Sequence, residues 1–220
     1  HLGYTVGLLD HYYIVNEHMK TFFIIEGYKK QINLENKIDN KKFILFINKT
    51  DLICLKNEID QLLPRINRPQ KSYNYIYNRY LCHPINKYLF YGIIQNNALL
   101  AIIIIRLISY KSSNILRLVD FIGKENSLNG IYNEIKKLLV HYNAEYIDFY
   151  NYGFNEKSLL SNGFKKRELN SDIVIPNYFE PFEKINVDLH YAFKCCTDYA
   201  FIINKGDSDQ DRPNIIENNI

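Results

Sequence analysis

The sequence has no long hydrophobic run and little excess of charge of either sign. Its longest apolar run extends from Ala98 to Ile105 and ends at Arg106, whereas a membrane-spanning helix needs about 20 apolar residues. We therefore expect no membrane span, and the first residues show no signal peptide. Lysine and arginine number 27 against 24 aspartates and glutamates, a formal net charge of +3. Because the basic residues are scattered among acids, nucleic acid is not expected as a partner.

Cysteine is also scarce, and its spacing argues against a zinc site. The four cysteines are Cys54, Cys82, Cys195 and Cys196, and they lack the paired spacing of zinc ligands. Reduced thiols in a cytoplasmic protein are the simpler interpretation. The adjacent pair falls in a predicted core strand, so we expect these two side chains to pack in the core and not to act as nucleophiles.

Motifs for binding metals and nucleotides are missing as well. Asp207, Asp209 and Asp211 alternate as at the start of a calcium loop, but Arg212 replaces the required glycine and Asn218 the required glutamate. The sequence has no Gly-x-Ser-x-Gly elbow, no P-loop and no dinucleotide fingerprint. We therefore expect no bound metal and none of the reactions that depend on those motifs.

Apolar and aromatic side chains are abundant. Tyrosine and phenylalanine number 19 and 13, and hydrophobic residues make up 47% of the 220, which suits a folded globular chain. The length fits one large domain. We expect an N-terminal segment over 1–70, packed on the core or left from a preceding lobe, a core over 71–204, and a polar, irregular tail over 205–220. Because the first residue is His1 and not Met, we also expect a fragment or a processed chain.

Hydrophobic periodicity predicts strands and helices over most of the chain. The clearest signal is a hairpin of two strands, 88–95 and 99–108, joined by Asn96 and Asn97, since asparagine tolerates the positive φ of a tight turn. Ser127 is the predicted cap of a helix with an apolar stripe that reaches Tyr142. The remaining expectations are helices at 12–19, 51–63, 72–81 and 155–162, and strands at 22–25, 43–47, 115–122, 146–150, 164–168, 173–178 and 191–203.

Three segments carry a resemblance to a known superfamily. They are SYNYIYNRYLCHPINKYLFYGI (72–93), LRLVDFIGKENSLNGIYNEIKKLL (116–139) and EYIDFYNYGFNEKSLLSNGFKKRE (145–168). The order of their elements resembles that of the GNAT (Gcn5-related) acyltransferases. The resemblance implies a mixed α/β fold with a central, twisted, mostly antiparallel sheet flanked by helices. The whole chain, including KGDSDQDRPN (205–214), also resembles GNAT-like proteins encoded with bacterial surface-polysaccharide genes.

The resemblance implies a co-substrate and an acceptor. The co-substrate is acetyl-CoA or another acyl-CoA, and the acceptor is a small amino sugar, free or nucleotide-linked. The family's cofactor loop reads Gln/Arg-x-x-Gly-x-Gly/Ala, so that bare amides at a helix N-terminus bind the pyrophosphate. This sequence departs from that pattern, with one glycine and no basic first residue. The corresponding residues are Ser127, Leu128, Asn129, Gly130 and Ile131.

Three residues are candidates for catalysis. Asp120 lies in an otherwise apolar strand, where GNAT enzymes often carry an acid, and a partly buried carboxylate suits a general base; its structural alternative is a pair with Arg117 or Arg106. Tyr150 matches the tyrosine with which family members protonate the departing thiolate, against the alternative of core packing. His83 is either a base or substrate ligand, or a residue that hydrogen-bonds its own loop.

Five further residues are candidates for substrate binding. Two of them are close in sequence to catalytic candidates. Arg79 comes four residues before His83, and Asp148 lies on the same strand face as Tyr150, because side chains two residues apart in a strand point to the same side. Asp209 and Arg212 belong to a tail that either folds over the site or stays solvated. The complete set is Arg79, His11, Asp148, Asp209 and Arg212.

Two alternatives to the enzyme remain open from the sequence. The poor cofactor loop also fits a catalytically silent GNAT-fold module that binds a ligand or a partner enzyme. A relative of the FemAB peptidoglycan aminoacyltransferases is the other alternative, although these use two such lobes and charged tRNA. The enzyme interpretation requires that the strand beginning near Leu116 diverge from its neighbour and leave a slot between them.

Overall fold

A computed structural model of the chain describes residues 3–29, 42–63, 67–194 and 200–207. The described residues form twelve strands and five α-helices. The strands are β1 (Thr5–Leu8), β2 (Asp10–Val15), β3 (Lys42–Ile47), β4 (Asn67–Arg68), β5 (Tyr88–Gln95), β6 (Ala98–Tyr110), β7 (Ser113–Gly123), β8 (Ala144–Tyr152), β9 (Lys165–Lys166), β10 (His190–Phe193), β11 (Ala200–Phe201) and β12 (Ile203–Asn204). The helices are α1 (Lys49–Cys54), α2 (Lys56–Gln61), α3 (Tyr73–Ile76), α4 (Tyr132–His141) and α5 (Glu156–Ser161), and a π-helical turn (Tyr77–Leu81) follows α3.

One mixed sheet organises the fold. Its strand order is β3-β5-β6-β7-β8-β2-β9, with β12 added beside β8. Only the β7–β8 pair is parallel among the pairs of this sheet. The predicted fold class, a mixed α/β fold with a mostly antiparallel central sheet flanked by helices, is therefore confirmed, and it is the architecture that the GNAT resemblance implies.

Helices cover both faces of this sheet. On one face α4 contributes Ile135, Leu138 and Leu139 to a core shared with β6, β7 and β8. On the other face Leu52, Ile59 and other apolar side chains of α1 to α3 pack against β3, β5, β6 and β7. Burial of each such side chain contributes about 1.5–3 kcal/mol. Because both faces are covered, β6 is apolar on both faces from Leu99 to Ile105, as the sequence suggested.

The hairpin between β5 and β6 forms as predicted. Asn96 and Asn97 have φ of 51° and 63°, the left-handed conformation that a two-residue hairpin requires. Ser72 caps α3, since its hydroxyl accepts a hydrogen bond from the Tyr75 amide. Asn155 caps α5, and Gly163 follows that helix with a φ of 81°. These elements depend on neighbours in sequence, and local signals were sufficient to find them.

The N-terminal residues depart from the sequence prediction. The expected helix over 12–19 is wrong, because Asp10–Val15 is strand β2, which lies between β8 and β9. Five of its six residues are buried, so the period-two alternation that marks a half-buried strand is missing. The expected strand over 22–25 is also wrong, because those residues form bends and only a single bridge, Glu26 to Val174, follows them.

The second half of the chain brings three further corrections. The helix predicted to begin at Ser127 begins at Tyr132, after a 3-10 turn over Glu125–Leu128. The closing strands are shorter than expected: 173–178 has one isolated bridge, and 164–168 has only the two-residue β9. The tail expected to be polar and irregular from residue 205 starts with a 3-10 turn, Lys205–Asp207, in which Lys205 and Gly206 are buried. Residues 195–199, with Cys195 and Cys196, and residues 208–220, with Asp209 and Arg212, lie outside the described residues.

Glu145 of β8 anchors the bends that follow β2. Its carboxylate is fully buried and accepts hydrogen bonds from the amides of Phe23, Ile24 and Ile25 at 2.6–3.1 Å. The Ser113 hydroxyl donates a further bond of 2.6 Å. A carboxylate that accepts hydrogen bonds from several backbone amides satisfies N–H donors that have no partner in a strand.

We predict that Glu145→Gln lowers the free energy of unfolding by about 2–3 kcal/mol, since the amide NH₂ cannot accept and leaves buried donors without a partner. Urea unfolding followed by circular dichroism measures the loss. The matched control is Glu134→Gln, whose carboxylate pairs with the exposed Lys137 and which is expected to cost less than about 0.5 kcal/mol. Equal losses in the two variants would contradict the anchoring role.

Candidate functional site

The parallel strands β7 and β8 separate along their length. They pair from Asn114 opposite Ala144 to Leu118 opposite Phe149, after which β7 continues to Gly123 and β8 to Tyr152. At the point of separation Val119 is an extra residue, since Ile105 pairs with Leu118 and Ile104 with Asp120. Such a bulge bends and twists the strand that carries it. We call the space beyond this point the β7–β8 gap.

A segment from the C-terminal part of the chain occupies the β7–β8 gap. We call it the gap segment, Ile203–Asp207. It pairs with β8 through Ile203 opposite Tyr152 and Asn204 opposite Asn151, and its 3-10 turn contacts both β7 and β8. Asn204, Lys205 and Gly206 are buried. The predicted divergence of the two strands is therefore present, but the space between them is filled by the chain itself.

Asp120 lies at the centre of a buried polar cluster on β7. Its carboxylate accepts hydrogen bonds from Lys71 Nζ at 2.5 Å, Tyr80 OH at 2.7 Å and Asn204 Nδ2 at 2.8 Å. The amide of Phe121 donates a fourth bond of 2.8 Å. We call Lys71, Tyr80, Asp120, Asn204 and Asp207 the Asp120 cluster. Neither Arg117 nor Arg106, the partners considered from the sequence, makes the ion pair with Asp120.

Lys71 holds two carboxylates in the Asp120 cluster. Its Nζ also donates to Asp207 Oδ2 at 2.8 Å, and the side chain is 3% exposed. Burial alone lowers the pKa of Lys71, but the charges of Asp120 and Asp207 outweigh burial and raise the pKa above its ordinary value. Lys71 is therefore a cation in the folded protein. The Asp120 carboxylate is thus already engaged by Lys71, Tyr80 and Asn204 within the protein.

Arg117 and Asp148 form a second buried pair on the adjacent strands. Arg117 Nε and Nη2 donate to Asp148 at 3.0 Å and 2.7 Å, and the remaining guanidinium donors reach the carbonyls of Pro176 and Asn177. The Arg117 charge lowers the pKa of Asp148 below its ordinary value despite full burial, which acts in the opposite direction. Asp148, a candidate substrate ligand, is thus already fully engaged within the protein.

His11 is packed against this pair. Its ring stacks on Tyr150 with centroids 3.8 Å apart, its Nε2 lies 3.4 Å from Asp148 Oδ2, and its Nδ1 accepts from Arg167 Nε at 3.2 Å. Burial lowers the pKa of His11 to about 4, so the ring is neutral near pH 7. We call His11, Arg117, Asp148, Tyr150 and Arg167 the His11 cluster.

Tyr150 is a candidate whose reactive atom makes no hydrogen bond within the part of the chain that the structure describes. Its hydroxyl is buried and has no hydrogen-bond partner among the described residues, although buried hydroxyls normally find one. Burial raises the pKa of Tyr150 above its ordinary value, so the hydroxyl keeps its proton. Lys205 Nζ of the gap segment lies 5.3 Å from the centre of the Tyr150 ring, which places this tyrosine beside the β7–β8 gap.

His83 and Arg79 lie on the face of the sheet that carries α3. His83 Nδ1 accepts hydrogen bonds from the amides of Ile85 and Asn86 at 3.2 Å and 2.8 Å, the loop-stabilising role that was its structural alternative. Arg79 Nε donates to the carbonyl of Gly206 at 3.1 Å. Arg79 thus binds the gap segment in this structure.

The predicted cofactor loop points its amides inward. The amides of Ser127, Asn129 and Ile131 donate to carbonyls of the same loop at 2.9–3.2 Å. The Gly130 amide donates to the side-chain oxygen of Asn162 at 2.5 Å, and Leu128 is buried in the core. As these residues lie, the loop and the filled gap do not fit an acyl-CoA.

Sequence reasoning missed the partners that complete these clusters. Lys71, Arg167 and Asn204 are buried, although such residues are usually exposed. Asn162, whose side-chain oxygen accepts a hydrogen bond from the Gly130 amide, is the C-cap of α5. No local pattern marks them, because each meets its partner across at least 30 residues of sequence.

Comparison with known proteins assigns this chain neither a family nor an activity. The sequence matches no family model and no curated protein. Among solved structures, it is similar to a conserved protein of unknown function from Staphylococcus epidermidis, with 18% identity, a TM-score of 0.47 and coverage of 76% of this chain and 60% of that one. It is also similar to a GCN5-related N-acetyltransferase from Anabaena variabilis, with 12% identity, a TM-score of 0.45 and coverage of 76% and 39%. The chain thus spans less than two thirds of either protein.

Two further properties of the described residues bear on function. None of their helices has the length and apolar character needed to cross a membrane. Their His, Cys, Asp and Glu side chains form no group of three or more that is placed to hold a metal ion.

Proposed function

We propose that this chain is a GNAT-like N-acyltransferase that transfers an acyl group from acyl-CoA to an amino sugar, free or nucleotide-linked, in the cytoplasm and in surface-polysaccharide biosynthesis. The observation that carries the proposal is the divergence of β7 from β8 beside the buried, unpartnered hydroxyl of Tyr150. The acceptor and the biosynthetic role come from the sequence resemblance alone.

Within the proposal the candidate residues keep distinct parts. Tyr150 is the proton donor, because its hydroxyl retains its proton and has no competing partner among the described residues. Asp120 is the base only in a conformation in which Lys71 has moved away, since the two are in direct contact. His83 and Arg79 contribute to acceptor binding from the face of the sheet that carries α3. The proposed contribution of His11 and Asp148 is to hold Tyr150 in position, since His11 stacks on the Tyr150 ring and lies next to Asp148.

The acyl donor is proposed to bind along β7 and the loop Ser127 to Ile131. In this structure the gap segment occupies the space along β7 where the acyl donor is proposed to bind. The side-chain oxygen of Asn162 accepts the hydrogen bond of the Gly130 amide in the loop. Binding therefore requires the gap segment to leave. The protein's own contribution is to exclude water from the buried cluster and to hold Tyr150 in position.

A catalytically silent GNAT-fold module is the second candidate, and the filled gap is the observation that favours it. In this alternative the gap segment is a permanent part of the sheet, and the Asp120 cluster stabilises it. The fold is then a scaffold for another ligand or partner.

Acetyl-CoA is expected to raise the melting temperature if the first proposal is right, because a ligand that binds only the folded state stabilises it. At about 100 times Kd the gain is about 2.7 kcal/mol, or about 5–10 °C for a chain of this length. ATP at the same concentration is the control for unspecific anion binding.

Turnover is followed by release of the CoA thiol with a 2-amino sugar as acceptor. Tyr150→Phe removes the hydroxyl and keeps the ring, so it is expected to lower turnover at least tenfold with little change in melting temperature. No shift at millimolar acetyl-CoA, in the wild type and in a variant with the gap opened, would favour the silent module.

A further inference from the structure

We infer that the gap segment, Ile203–Asp207, is a releasable closure of the β7–β8 gap and regulates access to the site proposed above; the regulatory part rests on that proposed function. The segment competes with the acyl donor for the same space. Its release is governed by Asp207, whose carboxylate holds it to Lys71.

The composition of the gap segment differs from that of the surrounding core. Asn204, Lys205, Gly206 and Asp207 are polar or lack a side chain, whereas most residues of β7 beyond the bulge, such as Phe121 and Ile122, are apolar. A buried polar residue adds little hydrophobic stabilisation, and its desolvation must be offset by hydrogen bonds. The segment therefore stays in the gap only while its polar contacts are intact.

The fit between the gap segment and its surroundings is incomplete. The side-chain oxygen of Asn204 and the side-chain NH₂ of Asn151, opposite it on β8, lack hydrogen-bond partners among the described residues. The same holds for the NH₂ of Asn177, whose oxygen accepts from Lys205, and for the Tyr150 hydroxyl. Permanently buried polar atoms are nearly always satisfied. Several unsatisfied atoms along one seam indicate a segment that is exchanged for another occupant.

The segment is held by backbone pairing with β8 at Ile203 and Asn204 and by polar contacts along its length, and the contacts at its C-terminal end tie it to the Asp120 cluster. Asp207 Oδ2 accepts from Lys71 Nζ and from the Asn204 amide, both at 2.8 Å. Arg79 holds the Gly206 carbonyl. Asp207 thus binds the Asn204 amide within the segment and also binds Lys71 of the Asp120 cluster. Loss of the Asp207 charge therefore weakens both of these contacts.

Two variants open the gap by different means. Asp207→Asn removes the charge and keeps the shape, and Lys71 still retains Asp120 as its ionic partner. Gly206→Ala acts through volume, because an added Cβ overlaps the Tyr80 hydroxyl and lies 2.8 Å from the Val119 carbonyl oxygen. Glu180→Gln is the matched control, since it neutralises a carboxylate in the partly exposed pair with Arg106.

Hydrogen exchange of the peptide that contains 203–207, followed by mass spectrometry, measures release without any ligand. We expect exchange at least tenfold faster in Asp207→Asn and Gly206→Ala than in the wild type and Glu180→Gln, because exchange follows the open fraction. The affinity for acetyl-CoA should improve by the same factor, since apparent affinity scales with the fraction of competent molecules. Circular dichroism verifies that each variant is folded. If Gly206→Ala does not fold, the exchange rate of the near-isosteric Asp207→Asn alone tests the inference.

The outcomes separate the inference from the proposed function. If hydrogen exchange of the 203–207 peptide is unchanged in a folded Asp207→Asn variant, the inference is overturned, whether or not acetyl-CoA binds. Faster exchange with tighter acetyl-CoA binding supports both the closure and the enzyme. Faster exchange without acetyl-CoA binding in any variant supports a releasable segment but overturns the acyltransferase, and with it the regulatory role. Acetyl-CoA binding that is equal in all variants supports the enzyme and overturns the regulation.

Discussion

Replacing Arg117 with methionine is expected to lower the free energy of unfolding by about 3–5 kcal/mol, because it leaves the buried Asp148 carboxylate without its cation. The guanidinium makes three contacts of 2.7–3.2 Å with that carboxylate and satisfies the carbonyls of Pro176 and Asn177 as well. All of these acceptors become unsatisfied when it is removed. Urea unfolding at pH 7 measures the loss.

Two controls test the cause of that loss. Lys137→Met removes a cation from an exposed pair with Glu134 and is expected to cost less than about 0.5 kcal/mol. Combining Arg117→Met with Asp148→Leu removes both charges and should recover part of the stability, since an apolar pair of similar volume often replaces a buried ion pair without loss. A single-variant loss below about 1 kcal/mol would show that the pair does not matter.

Acidification from about pH 6.5 to 4 is expected to remove about 3 kcal/mol of stability through His11 alone. Burial lowers the pKa of His11 from 6.5 to about 4 in the folded protein, and a pKa difference of one unit corresponds to about 1.4 kcal/mol. Between these two values the unfolded chain binds a proton on His11 that the folded chain does not bind. Stability is therefore complete above pH 6.5 and falls as the pH decreases through this range.

The charged neighbours of His11 do not reverse this sign. Asp148 favours the protonated ring, whereas Arg117 and Arg167 oppose it, and burial exceeds all three. Asp148 has its own pKa lowered from 3.8, so its contribution is lost only below about pH 4, outside the His11 window. The residues that contact His11 or act on its charge are Asp148, Tyr150, Arg117 and Arg167.

His11→Gln is the matched variant, because its side-chain oxygen still accepts from Arg167 but does not titrate. Urea midpoints measured at half-unit steps between pH 4 and 7.5 should show a steep slope in the wild type and a shallower one in the variant. The Glu134→Gln variant should keep the wild-type slope. Equal slopes in the wild type and His11→Gln would mean that His11 is not the group responsible.

Local elements of the fold were predictable because their causes are local. Asn96 and Asn97 mark a hairpin by their tolerance of positive φ, and Ser72 marks a helix start by its free hydroxyl. Strand β2 was predicted as a helix because its neighbours β8 and β9 come more than 120 residues later. Burial on both faces then removes the alternation by which a strand is recognised.

The sequence predicted the strands on which Asp120, Asp148 and Tyr150 lie, but not the side chains that contact them. Asp120 and Tyr150 come just after the last β7–β8 pair, Leu118 opposite Phe149, and Asp148 shares a strand face with Tyr150. That Asp120 is bound to Lys71, and that Asn204 fills the space beside it, depends on contacts across 49 and 84 residues of sequence. Ion pairs at such separations leave no periodic signal.

The amino-acid sequence by itself determined the mixed sheet, its central hairpin and the placement of acidic and tyrosine side chains on two neighbouring strands. It did so because apolar periodicity and turn chemistry act over a few residues. Only the tertiary structure decided whether the space between those strands is open. The residues Lys205–Asp207 resemble a solvated tail in sequence, but Lys205 and Gly206 are buried and Asp207 is partly buried, because Asn177 accepts a hydrogen bond from Lys205 and Lys71 pairs with Asp207.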